Sequence, residues 1–260
     1  MALMHVDFFS NVLGMCVQAD VIIPQRTTGQ IGMEGKGGSE KYPTLYLLHG
    51  MSDDQTIWQR RTSIERYAND LGLAVVMPTT HLAWYTDTQY GYRYFTYISE
   101  ELPQICRSFF NGMSDRREDT FAAGLSMGGY GAFKLGLRAS ETFSAVASLS
   151  GALDIRTIGD RHSARKQLFE GIFGDLSKVA GSENDLFWLA EQLAASNKPK
   201  PMMYQWCGTE DSLYPQNLLM RDHLIQLGYD LTYEESHGDH RWEYWDEKIQ
   251  SVLQWLPIQK

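Results

Sequence analysis

The sequence predicts an α/β fold with a mainly parallel central sheet and helices on both faces. Three observations carry this expectation. Short apolar runs recur along the chain, amphipathic stretches separate them, and a glycine-flanked serine falls where one run gives way to a helical stretch.

Taken in order, the elements begin with two alternating segments, 5–12 and 16–23. Leu13 and Gly14 separate them, which suits an antiparallel hairpin at a sheet edge. Apolar runs at 44–48, 73–77, 120–123, 143–149, 202–207 and 231–235 then read as buried parallel strands. Helices are expected over 56–71, 92–110, 127–138, 215–227 and 241–256. In the last of these Trp242, Trp245, Ile249, Val252, Leu253 and Leu256 share one face. Strands alternating with helices imply right-handed crossovers, and ligands then bind beyond the carboxyl ends of the strands. Two stretches break the alternation: a Gly-, Thr- and Lys-rich surface loop at 25–41, and a lid-like insertion at about 154–201, after the sixth strand. The whole chain, 1–260, reads as a single domain.

Composition narrows the function. With 43% hydrophobic and 21% charged residues the chain can bury a sizeable core. Its net charge of −9 disfavours nucleic acid as a partner, because phosphate binding needs basic surface. No apolar run approaches the ~20 residues needed to cross a bilayer, and the N-terminus lacks the basic start of an export signal, so no membrane partner is expected. Three scattered cysteines, Cys16, Cys106 and Cys207, suggest neither a disulfide framework nor a metal knuckle, and fit a reducing cytoplasm.

The chemistry centres on Gly124-Leu125-Ser126-Met127-Gly128, placed between an expected strand and an expected helix. A serine on such a sharp turn needs small neighbours, and the turn would hold its hydroxyl above the sheet. The helix N-terminus also presents the Met127 N–H to a developing oxyanion. A serine hydroxyl is a poor nucleophile at neutral pH and requires a base with an acid to orient it. In α/β-hydrolases the chain order is Ser, then Asp or Glu, then His, each after a later strand. His240, after the last expected strand, fits as the base, with His237 its competitor. Asp211, just after run 202–207, fits as the acid, with Asp154 the runner-up and Glu210 the adjacent alternative. The second oxyanion donor is expected from Leu48-His49-Gly50-Met51-Ser52, where Gly50 lets the backbone turn and Met51 offers its N–H; His49 reads as structural. Trp84 and Tyr85 could wall an acyl or sugar pocket, although Trp84 equally suits core packing. The spacing His237-x-x-His240 is discounted as a metal site, because the base role explains His240 better. The glycines at 32–38 lack the GxxxxGK[ST] pattern of a phosphate loop. No metal or organic cofactor is expected.

Three segments, Tyr46-Leu47-Leu48-His49-Gly50-Met51-Ser52, Gly124 to Gly131 and Gly238-Asp239-His240-Arg241-Trp242, resemble the esterase D family of S-formylglutathione hydrolases and small bacterial carbohydrate esterases. The resemblance runs through nearly the whole chain. It is strongest to the tributyrin esterases of lactic and streptococcal bacteria, which share Trp84-Tyr85-Thr86-Asp87-Thr88-Gln89-Tyr90-Gly91 and Phe173-Gly174. The glycine-rich loop at 29–38 is longer than that family leads one to expect. The resemblance implies an α/β-hydrolase fold and a cytoplasmic serine carboxylesterase acting on acetyl to butyryl esters, acetylated carbohydrates among them. Ser126, Asp211 and His240 would be its triad, Met51 and Met127 its donor pair, and a homo-oligomer its assembly. Thioester hydrolysis of S-formylglutathione, feruloyl or acetyl xylan esterase activity, acyl transfer and a non-catalytic binding role are the competing readings.

Overall fold

A computed structural model of the chain describes residues 1–32, 35–36 and 41–258. The expected hairpin forms first, from β1 (Ala2–Ser10) and β2 (Met15–Ile23), with Gly14 at φ +67° closing the turn onto the Ser10 carbonyl. Within the glycine-rich loop, β3 (Arg26–Thr27) and β4 (Gly35–Lys36) pair as a minimal ribbon. The rest of segment 29–38 lies partly outside the described residues, as does the stretch weighed as a phosphate loop. The remaining strands are β5 (Thr44–Leu48), β6 (Ala74–Pro78), β7 (Thr120–Leu125), β8 (Ala145–Leu149), β9 (Met202–Gly208) and β10 (Leu231–Ser236). They join the hairpin in one eight-stranded sheet of order β1-β2-β6-β5-β7-β8-β9-β10, antiparallel through β1, β2 and β6 and parallel from β6 onward.

Period-two alternation explains why this sheet needs cover on both sides. In β5, Leu45 and Leu47 enter one core while Tyr46 and Leu48 enter the other; in β6, Val75 and Met77 oppose Ala74 and Val76 in the same way. One face is covered by α1 (Ile57–Arg61), α2 (Ile64–Asn69) and α10 (Trp242–Trp255), which supply Trp58, Ile64, Trp245 and Ile249. The other face is covered by α3 (Tyr94–Thr96), α4 (Leu102–Phe109), α5 (Met127–Arg138), α8 (Leu186–Ala194) and α9 (Tyr214–Gln226). Between α5 and α8 in the chain come the short α6 (Ile158–Arg161) and α7 (Lys166–Phe173). Among the described residues no helix is long and apolar enough to cross a membrane.

Two expected helices are interrupted, each for a local reason. The helix expected over 56–71 splits into α1 and α2 because Thr62 turns extended. Its hydroxyl donates to the Trp58 carbonyl at 2.6 Å and accepts from the Ile64 N–H at 3.1 Å, replacing the helical ladder. The helix expected over 92–110 widens into a π segment at Tyr97–Glu101, just before Pro103, whose missing N–H and bulky ring disfavour an ordinary α turn.

Insertion 154–201 is anchored at its second half by a buried lysine. Lys134 on α5 is fully buried and donates to Thr86 Oγ1 at 2.8 Å and Asn184 Oδ1 at 2.7 Å. Tyr130 Oη donates to the Asn184 carbonyl at 2.9 Å. Burial pushes the Lys134 ammonium well below its ordinary pKa. One polar side chain thus ties loop 84–88 and the segment entering α8 to the same helix.

At the end of β5, His49 is buried and bridges two loops. The Thr80 N–H donates to Nε2 at 3.1 Å, so the proton sits on Nδ1, which donates to the Gly50 carbonyl at 2.7 Å. Burial lowers its pKa from 6.5 to about 4. As pH falls from 6.5 towards 4 the unfolded chain takes up a proton that the folded chain refuses, so stability is lost across that window. The shift corresponds to about 3 kcal/mol. In urea titrations at a series of pH values, His49→Gln is expected to flatten this part of the stability profile relative to the unmodified chain; parallel profiles would contradict it.

Candidate active site

Residues from four strand ends meet at the carboxyl edge of the sheet. Ser126 sits between β7 and α5 at φ +54° and ψ −116°, a strained conformation for a residue with a side chain. Two glycines make the turn possible. A Cβ on Gly124 would lie 2.4 Å from the Gly128 carbonyl, and one on Gly128 would lie 2.4 Å from the Leu48 carbonyl oxygen. Backbone meets backbone at both points, so neither contact could yield by a side-chain rotation. The Ser126 N–H donates to the Leu149 carbonyl and its own carbonyl accepts from Ala152 and Tyr130, fixing the turn on both sides.

His240 lies between β10 and α10. Its Nδ1 is 2.8 Å from Asp211 Oδ2 and its Nε2 is 3.0 Å from Ser126 Oγ. A carboxylate can only accept, so Nδ1 carries the proton and Nε2 is left to accept the serine O–H. The imidazole packs edge-on against Trp245 at 4.8 Å, which restricts its rotation, and its side chain keeps 34% of its surface exposed. Asp211 is buried and also accepts from the Leu213 N–H at 2.8 Å. Burial pushes its carboxyl up, but the hydrogen bond and charge of His240, the Leu213 N–H and the Ser150 hydroxyl outweigh that and leave it below its ordinary pKa.

The competing residues have other partners. Asp154 is held bidentately by Arg156, at 2.9 and 2.8 Å, with the guanidinium 3.9 Å above the Phe187 ring. Glu210 accepts the Gly238 N–H at 2.7 Å and pairs with the exposed His237; the Gly238 N–H, then the Thr209 hydroxyl, hold its carboxyl down to about 2. The Glu210 N–H in turn donates to the Gly238 carbonyl, so Glu210 clamps the loop that carries His240. His237 and His240 therefore face different carboxylates.

Met51 follows Gly50 in the loop after β5, and Met127 is the first residue of α5, where no intrahelical acceptor serves its N–H. Trp84 is buried at φ +53° among Tyr130, Phe169 and Phe173, with ring centroids 5.7 to 6.0 Å away. It does not line the open cleft of about 520 Å³ beside Met51, which is walled by Leu82, Leu168, Arg165 and His81. Arg165 and Leu168 come from the insertion, and the Arg165 guanidinium donates to Met51 Sδ at 3.2 Å.

Sequence reasoning missed Ser150. It follows β8 at φ +48°, accepts from Trp245 Nε1 at 3.2 Å and helps hold the Asp211 carboxyl below its ordinary pKa, so it touches both the packing of the imidazole and the carboxylate behind it. Its only signal was its place after a strand, which many serines share.

Comparison with known proteins shows the family and the fold. Residues 35–256 match the Esterase family, described as "Putative esterase". An acetyl esterase of Caldicellulosiruptor saccharolyticus is 31% identical over 98% of both chains. Among solved structures, the fluorophosphonate-binding serine hydrolase FphF of Staphylococcus aureus aligns with a TM-score of 0.88 at 34% identity, covering 100% of this chain and 99% of its own. S-formylglutathione hydrolase FrmB of the same organism aligns at 0.85 and 34% identity, covering 98% of both. The chain has the α/β-hydrolase fold, is a carboxylic ester hydrolase, and belongs to the Esterase family.

Proposed function

We propose that the chain is a serine carboxylesterase for short acyl esters, acetyl to butyryl, with Ser126 as nucleophile, His240 as base and Asp211 as the acid that orients it. The observation that carries this is the unbroken line from Asp211 Oδ2 to His240 Nδ1 and from Nε2 to Ser126 Oγ, at 2.8 and 3.0 Å. His240 accepts the serine proton as Oγ attacks the ester carbonyl, while Asp211 fixes the tautomer and stabilises the imidazolium. His240 then protonates the departing alcohol. Water activated by the same nitrogen hydrolyses the acyl-enzyme, returning the proton to Ser126. The N–H groups of Met51 and Met127 stabilise the oxyanion in both halves, each by about 3 kcal/mol.

The acetyl esterase relative supports an acetyl ester as substrate, acetylated sugars included, and the cleft beside Met51 has room for the substrate's bulk. Thioester hydrolysis is the second reading, favoured by the likeness to FrmB, and needs the same three residues. Turnover of S-formylglutathione beside acetyl and butyryl esters separates the two.

Ser126→Ala is expected to lower kcat for p-nitrophenyl acetate by about 10³-fold or more, and Asp211→Asn by about 10³- to 10⁴-fold through the wrong imidazole tautomer. Both should keep the circular dichroism of the parent, and a near-normal rate for either would remove its assignment. Leu168→Trp, which narrows the cleft, should cost bulky esters about tenfold more in kcat/KM than p-nitrophenyl acetate. An equal loss for both would move the bulky group elsewhere.

A further inference from the structure

Two consecutive aromatic residues stand in a backbone conformation that side chains avoid. Trp84 and Tyr85 have φ +53° and +50°. Strain of this kind persists only where surrounding contacts hold it, and it gathers at sites that need a defined geometry. Thr86 holds the turn, because its hydroxyl donates to the Trp84 carbonyl at 2.8 Å and accepts from Lys134 Nζ at 2.8 Å. What the turn achieves is the placement of Tyr85. The ring is fully buried and lies against α5 at Gly131, where a Cβ would come within 2.4 Å of it. Its hydroxyl donates to the His49 carbonyl at 2.8 Å.

That carbonyl lies one peptide before the Gly50–Met51 peptide, whose N–H is the second oxyanion donor of the proposed mechanism. Glycine has the widest backbone freedom of any residue, so Gly50 does not by itself fix where the Met51 N–H points. Hydrogen bonds on both sides of it do. Tyr85 Oη holds the carbonyl of the 49–50 peptide, and His49 Nδ1 donates to the carbonyl of the 50–51 peptide at 2.7 Å. A trans peptide is planar with its N–H opposite its C=O, so a carbonyl held from behind turns the Met51 N–H the other way. With both planes held, the torsions of Gly50 between them are set.

We infer that Tyr85 is a positioning residue for the oxyanion hole: through the His49 carbonyl it holds the Gly50–Met51 peptide in the orientation that receives the oxyanion, without itself touching substrate. The inference rests on the serine esterase reading and on Met51 as a donor. Both tetrahedral species use that donor, so loss of the tie slows acylation and deacylation alike. Binding of the ester before attack does not depend on it.

Tyr85→Phe keeps the ring and removes the tie. It should lower kcat for p-nitrophenyl acetate about 10- to 30-fold, short of the roughly 10²- to 10³-fold that follows loss of a whole donor, with KM within about twofold of the parent. The inhibition constant of a short-chain trifluoromethyl ketone, whose hemiketal with Ser126 carries the same oxyanion, should rise by the same factor. Tyr229→Phe is the control: it removes a buried hydroxyl that donates to the Ala190 carbonyl at 2.8 Å elsewhere in the core, and should leave kcat unchanged. Thr86→Val keeps the Tyr85 hydroxyl but releases its turn from Lys134, and should lower kcat about threefold with KM again unchanged. A near-parent kcat in Tyr85→Phe, a loss confined to KM, or an equal loss in Tyr229→Phe would each overturn the assignment; where Tyr85→Phe does not fold, a near-parent kcat in Thr86→Val does so. An inactive Ser126→Ala beside an unimpaired Tyr85→Phe removes the positioning role alone, whereas an active Ser126→Ala removes the reading beneath it.

Discussion

The close approach of the α5 N-terminus to the ends of β5 and β7 is the constraint on which the rest of the site depends. Gly124 and Gly128 let three stretches of backbone come within contact distance, and the strained Ser126 conformation is the price of that approach. Its consequences spread outwards. The hydroxyl is lifted to the rim of the sheet, α5 begins directly after it, and loop 49–51 is brought alongside. Parallel pairing of β5, β7, β8, β9 and β10 then delivers the loops carrying Asp211 and His240 to the same edge.

Much of this was legible in the sequence because its causes are local. Buried strands such as 44–48 announce themselves by apolar runs, and the serine turn by its glycines. The acid and the imidazole follow from the rule that functional loops leave the carboxyl ends of strands. What escaped depends on partners distant in the chain. Glu210 reads as an alternative acid until Gly238 is seen opposite, and nothing in the sequence marks Lys134, which Thr86 and Asn184 enclose. Trp84 was balanced between pocket wall and core, and its aromatic neighbours come from α5 and α7, whose docking no local pattern reveals. The breaks at Thr62 and before Pro103 override long stretches of helical periodicity through a single hydroxyl and a single missing N–H.

The insertion between β8 and β9 has two characters. Its later part is bolted to the fold through Asn184 and Glu183, by hydrogen bonds to Tyr130 and Lys134 and by an ion pair to Arg138. Its earlier part reaches over to Met51 and lines the cleft through Arg165 and Leu168. Variation in substrate preference therefore has a natural place in the earlier part, where few contacts to the sheet constrain it, while the later part keeps the frame fixed.

With the proposed donor role resting on the Met51 peptide N–H while its side chain lines the cleft, two properties that would otherwise change together are carried by different atoms. An aromatic or branched chain in place of the thioether would reshape the cleft and leave the amide where Gly50 and His49 put it, so the choice of ester is adjustable at this rim at no cost to the backbone.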